Sequence, residues 1–141
     1  MKRINVVYTL ITDETKSKIL MVKNKDNSSW SLPGGAVEDL ETLEEAAVRE
    51  AKEETGFDIR VFGIVAINEA KLMKHEEHAI FFTFRGEISG GHQELLRPDE
   101  ITDIQWVEID QADERMPYYK DGLKNLSRSN IEITYFNEGI V

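Results

Sequence analysis

Glu50, Glu53 and Glu54 fall within five residues of one another in the run REAKEETGF. On a helix, spacings of three and four put side chains on one face, roughly 6 Å between neighbours. Carboxylates gathered there repel one another by roughly 0.2–0.5 kcal/mol per pair. Glu53 and Glu54 also fall in a last turn, where the helix dipole disfavours anions by roughly 0.3–1 kcal/mol each. Two local rules are broken at one spot, which is where a functional site is expected. A hard divalent cation relieves both penalties, because oxygen ligands and high charge suit Mg²⁺, with Mn²⁺ as a substitute. Taken alone, an E-x-x-E-E run is more often a solvated helix face.

The residues around the glutamates supply the element that must hold them. Thr42 followed by Glu45 is a capping box, and Leu43, Ala46, Ala47 and Ala51 give helical apolar spacing behind it. Gly56 fits a left-handed stop with Phe57 packing back, so a helix is predicted over residues 43–55. Glu45 and Arg49 are spaced as a favourable i,i+4 pair. Pro33-Gly34-Gly35 follows the aromatic run Trp30-Ser31-Leu32. Two glycines let backbone approach a ligand closely and leave a carbonyl free for a metal, although a lone PGG is usually a plain turn.

Residues 35–57 read G-x5-E-x7-R-E-A-x-E-E-x-G-F, with Gly35, Glu41, Arg49, Glu50, Glu53, Glu54 and Gly56 at the fixed positions. This resembles the signature of the Nudix hydrolases, with Ala51 a mild departure where an aliphatic residue is usual. The resemblance implies an α+β fold with a mixed β-sheet sandwiched between helices. It implies a hydrolase that cuts a diphosphate linked to a nucleoside or similar group. It further implies that Arg49 orients the glutamates and that Glu41 is structural. Gly34 through its carbonyl, Glu50, Glu53 and Glu54 become the metal ligands, joined by Glu100 from a loop ahead of Trp106. Glu53 is the expected general base, with Glu50 or Glu100 as alternatives. Lys23, at a strand end before the glycines, stands where relatives place a cation on phosphate. Arg85 among Phe81, Phe82 and Phe84 is open to a phosphate or base contact, or to an exposed face.

The chain has 141 residues, no cysteine and a net charge of −10. Its size is that of one domain spanning residues 1–141. No thiolate nucleophile, disulfide or cysteine-bound zinc is available. The acidity argues against DNA or an anionic membrane as partner, and it makes an anionic nucleotide substrate dependent on local neutralisation. The apolar run 4–11 is too short for an export signal or a span, so a cytoplasmic protein is expected, a homodimer being admitted. Two further readings remain: a non-catalytic regulatory module that binds a nucleotide, and a pyrophosphohydrolase acting on RNA 5′ ends. His75 and His78 miss zinc-helix spacing by one residue. Tyr118 and Tyr119 offer either a stacking surface for a base or core and surface neighbours.

Periodicity predicts strands at 4–12 and 19–23 forming a hairpin, then at 58–69 with a bulge or bend at Gly63. Further strands are predicted at 78–88, 103–109 and 131–136. A helix is predicted around 110–127, with Pro117 near its start.

Overall fold

A computed structural model describes all of residues 1–141. Its strands are β1 (Lys2–Ile11), β2 (Lys18–Asn24), β3 (Trp30–Ser31), β4 (Gly34–Ala36), β5 (Phe57–Leu72), β6 (Glu77–Gly91) and β7 (Ile101–Glu108). The helices are α1 (Leu43–Thr55), α2 (Ile109–Arg115) and α3 (Gly122–Arg128). One sheet runs β4-β1-β6-β5 and is mixed, with β1 parallel to β6 and antiparallel to β4; the other runs β3-β2-β7 and is antiparallel throughout. None of the helices is long and apolar enough to cross a membrane.

Alternation along β1 determines the layering. Val7 and Ile11 face α1, packing with Ala46, Ala47 and Ala51. Leu10 faces the other way, into a cluster with Met21, Ala112 and Leu123 from β2, α2 and α3. The mixed sheet therefore lies between helices, as the sequence implies. The three alanines of α1 are fully buried. Their small side chains bring the helix close to β1, and the opposite face carries the glutamates.

Three elements depart from expectation for identifiable reasons. β1 and β2 meet only at the tip, where Thr12 bridges Ile19 and Asp13 N–H donates to Lys18 O at 3.1 Å. Both faces of β2 are apolar, so it leaves β1 and is buried in a second sheet instead of completing a hairpin. The predicted helix at 110–127 is two helices. Pro117 forces Met116 out of helical geometry, to φ −136 and ψ 73, and Gly122 restarts the helix at φ 80. Residues 131–136 make a single bridge, Ile64 with Ile133, on the free edge of β5. Ile131 and Phe136 are exposed, so no strand is stabilised by burial there. The ladder of β5 on β6 shifts register between Val61 and Ile64, which is the bulge expected at Gly63.

Arg85 explains why that tail stays in place. Its Nη2 donates to the Leu126 and Ser129 carbonyls at 3.0 and 2.8 Å, at the C-terminal end of α3. A cation there also complements the helix dipole. Its Nε donates to Glu132 Oε2 at 2.8 Å, and Glu132 Oε1 accepts from Gly63 N–H at 2.7 Å. Arg85→Gln is expected to speed amide exchange at Gly63 and Ile133 and to lower unfolding free energy by roughly 1–3 kcal/mol. An exchange pattern unchanged in that variant would contradict the anchoring role.

Candidate active site

The acidic face is built by α1 and its caps. Thr42 Oγ1 accepts from Glu45 N–H at 3.1 Å, and Glu45 reaches back to Thr42 N–H at 3.3 Å. Gly56 ends the helix at φ 82, a left-handed conformation that costs a side-chain-bearing residue energy. Because Glu45 is committed to the cap, the expected Glu45–Arg49 pair does not form. Arg49 turns instead to Glu41, donating from Nε at 2.6 Å and from Nη2 at 2.9 Å. Its Nη1 donates to Glu50 at 3.0 Å and to Glu53 at 3.2 Å. The hydrogen bond from Arg49 holds the Glu41 carboxyl below its usual range, and Glu41 in turn raises the guanidinium's proton affinity further.

The glycine turn closes the site from the other side. Gly34 N–H donates to Glu54 Oε1 at 2.9 Å. Thr9 N–H to Pro33 O and Val37 N–H to Asn5 O are the ladder bonds on either side. In an antiparallel pair the N–H and C=O of one residue leave on the same side. The Gly34 carbonyl therefore leaves β1 toward the glutamates together with its N–H. A Cβ on Gly35 would stand 2.6–2.9 Å from the Glu50 carboxyl, so only glycine permits this approach.

Burial and like charge raise two of the glutamates' pKa values. Glu54 is 6% exposed, and desolvation pushes its carboxyl well above the usual range, with Glu50, Glu100 and Glu53 adding to the effect. Glu50 is raised for the same first reason, opposed by Arg49. Glu100 is thus near enough to act on both. Its carboxylate lies 3.1 Å from Arg97, which also approaches Glu53 at 3.7 Å and Asp99 at 3.8 Å. Around the face stand five carboxylates, Glu41, Glu50, Glu53, Glu54 and Glu100, against two guanidiniums. An all-oxygen, under-neutralised donor set beside a free carbonyl fits a hard divalent cation. No three of these carboxylates form a ready-made cage, because Arg49 and Arg97 lie between them.

Next to the acidic face opens a cavity of about 740 Å³ whose wall includes Gly34 and Gly35. Tyr8 reaches from that wall toward Glu54, and burial raises its phenol. Tyr119 is core, bonded to Thr83 at 2.8 Å and pushed up to about 12 by burial, while Tyr118 is 67% exposed at the cavity. The pair is thus a core residue and its surface neighbour.

Lys23 is the last residue but one of β2, opposite Trp30 and Asp103. Arg85, considered for substrate, lies on the α3 side of the sheet and not at this cavity. His78 pairs with Glu69 at 2.7 Å on the β5–β6 ribbon, away from any cluster of possible metal ligands. Arg97 and the gathering of Tyr8, Trp30 and Phe81 at the cavity were missed. Arg97 sits three residues before Glu100, an i,i+3 charge pair that a sequence can show; the three aromatics come from separated segments and leave no local signal.

Fold and site define a class: an α+β domain presenting a carboxylate-lined helix to a glycine turn, suited to a metal-assisted phosphate site. Residues 1–127 match the family model for the NUDIX domain, and the chain belongs to the Nudix hydrolase family. A Bacillus subtilis protein named "Putative 8-oxo-dGTP diphosphatase" is 36% identical over 100 residues, 71% of this chain and 63% of that protein. An ADP-ribose pyrophosphatase of Methanocaldococcus jannaschii is 35% identical over 99 residues, 68% of this chain and 57% of that protein. The chain thus spans less than two thirds of either relative. The solved structure of an ADP-ribose pyrophosphatase from Streptococcus suis superposes with a TM-score of 0.64 at 25% identity, covering 95% of this chain and 98% of that one.

The raised Glu54 carboxyl sets a pH dependence of stability. A carboxyl that holds its proton more tightly when folded favours the folded state below the unfolded pKa. That contribution is lost as pH rises through the folded value. Glu54→Gln keeps the acceptor for Gly34 N–H and removes the charge. In chelator-treated buffer the variant is expected to melt a few degrees above the parent at pH 8 (about 2–4 °C per kcal/mol) and level with it near pH 4. A parent that outlasts the variant at pH 8 would contradict the burial argument.

Proposed function

We propose that the chain is a metal-dependent hydrolase that cleaves a diphosphate bond in a nucleoside di- or triphosphate or a related nucleotide derivative. The observation that carries this reading is the acidic face itself, with Glu54 bonded to Gly34, Glu50 against Gly35 and Glu53 beside them on Arg49, next to an open cavity. The names of the two curated relatives point the same way, since 8-oxo-dGTP and ADP-ribose both contain a diphosphate.

Glu50, Glu54 and the Gly34 carbonyl, with Glu53 and Glu100 in reach, would hold Mg²⁺, or Mn²⁺ in its place, which would supply positive charge for the phosphate oxygens and for the charge developing at phosphorus. Glu53 is the general base. Its side chain is 31% exposed, so water reaches it, and Arg49 orients it at 3.2 Å. Glu53 takes a proton from the attacking water as the new O–P bond forms. The P–O bond to the departing phosphate then breaks, and that oxygen leaves with the electron pair. Arg49 acts through the glutamates, holding Glu50 and Glu53 by one nitrogen. Lys23 is the cation considered for the phosphate; it does not line the cavity itself, but Asn24 next to it and Trp30 across from it do.

A panel of nucleoside triphosphates, nucleotide sugars and ADP-ribose with Mg²⁺ tests the reading. Turnover is expected for some of the panel and none in excess chelator; activity that survives the chelator would overturn it. Glu53→Gln is nearly isosteric and removes the proton acceptor. Its turnover is expected to fall on the order of 10²–10⁴-fold, with KM changing far less. Glu54→Gln should instead recover part of its loss as Mg²⁺ is raised. If high Mg²⁺ fully restores Glu53→Gln, the base is Glu50 or Glu100.

A further inference from the structure

β5 is an edge strand, and only half of its outer edge is covered. Ile64 exchanges two backbone hydrogen bonds with Ile133, at 2.8 and 2.7 Å, and Gly63 N–H donates to Glu132. From Ala66 to Leu72 the backbone bonds to β6 and to no other segment. Alternate N–H and C=O groups of that stretch therefore face outward, ready to pair with another strand. Charged side chains commonly blunt such an edge, and Glu69 and Lys71 stand on this one. Their spacing does something further, because it makes the segment complementary to itself.

Alternation puts Ile67, Glu69 and Lys71 on one face of the sheet and Asn68, Ala70 and Leu72 on the other. The ladder agrees, since Glu69 bonds to His78 at 2.7 Å and His78 stands opposite Lys71. The Glu69 side chain is 59% exposed, and Lys71 is exposed and pairs with no carboxylate of its own chain. When two identical strands pair antiparallel about a twofold axis, one residue stands opposite its own copy. With Ala70 on the axis, Glu69 of each chain faces Lys71 of the other. Moving the axis by one residue sets Glu69 against Glu69 or Lys71 against Lys71, and like charges directly opposite are destabilising. The Ala70 register also brings Ile67, 53% exposed, opposite Met73, 73% exposed just beyond the strand end. Ile133 on Ile64 closes the edge on the far side and so limits the pairing to this stretch.

We infer that two copies of this chain associate through the free half of β5, antiparallel about Ala70, joining their four-stranded sheets into one. A second copy is the occupant that the charges select, since the segment's own sequence, run antiparallel, supplies the opposite charge at both positions. The axis is perpendicular to the sheet, so the two cavities lie on the same face, with Asn68 of one chain opposite Leu72 of the other where their rims adjoin. Association depends on the strand edge and its charges and needs nothing from the cleavage reading.

Sedimentation velocity over a range of protein concentrations tests this without substrate or metal. A monomer–dimer equilibrium is expected for the parent. Glu69→Lys leaves lysine at both positions and Lys71→Glu leaves glutamate at both. Each should raise the dimer dissociation constant on the order of tenfold, from two like-charge contacts per interface. An equimolar mixture of the two variants should dimerise again, because every lysine then faces a glutamate across the axis. A chain carrying both substitutions should dimerise with itself for the same reason. Lys71→Glu keeps the Glu69–His78 bond, so it remains a fair test even if Glu69→Lys proves unstable on melting. A parent that stays monomeric at every concentration, single variants that dimerise as well as the parent, or a mixture that stays monomeric would each overturn the assignment.

Discussion

Arg49 lies within hydrogen-bonding distance of Glu41, Glu50 and Glu53 at once, and the layout of the acidic face follows from that sharing. One guanidinium presents five donors in a rigid plane, so it can orient several carboxylates while neutralising only one. Glu41, at 2.6 Å, takes the strongest share. Glu50 and Glu53 are held on Nη1 alone and keep most of their charge to offer. A lysine would give the same charge without the fixed angles between its partners.

What Arg49 does on one side, the backbone of the glycine turn does on the other. Glu54 is buried with a single N–H as its hydrogen-bonding support, which is too little for a full negative charge in that environment. Fold stability and site chemistry therefore oppose each other at this residue. The three buried alanines are part of the same arrangement, because they let α1 approach the sheet closely enough for Gly34 and Glu54 to meet.

The sequence was informative where interactions are local. Helix α1 occupies residues 43–55 as read, because its capping box and glycine stop lie within a few residues of the ends they define. The bulge at Gly63 was legible for the same reason. The layered α+β arrangement came through the resemblance and holds. Partners distant in the chain were not legible. Nothing near β2 says that it pairs with β7 rather than β1, and Pro117 was read as opening a helix when it divides two. Arg85 was left open between a phosphate or base contact and an exposed face, because its partners, Glu132 and the end of α3, lie over forty positions away. The cavity is the extreme case, since β1 and β6 each give it one residue, β3 two and the α2–α3 connection three.

The parallel pairing of β1 with β6 joins Lys2 to Glu77 and Ile11 to Gly86. A ladder between segments so far apart in the chain forms slowly, since its loop must close before any contact repays the entropy. Helix α1 carries its own caps and can assemble from neighbouring residues alone. The spacing that gathers the carboxylates is thus set within one element, while the sheet that completes the site is not. Phe81 reaches Tyr8 only when that ladder closes, and β4 adds the glycine turn by pairing with the same β1. The carboxylates are a local feature of the chain, and the pocket beside them depends on its slowest-closing contacts.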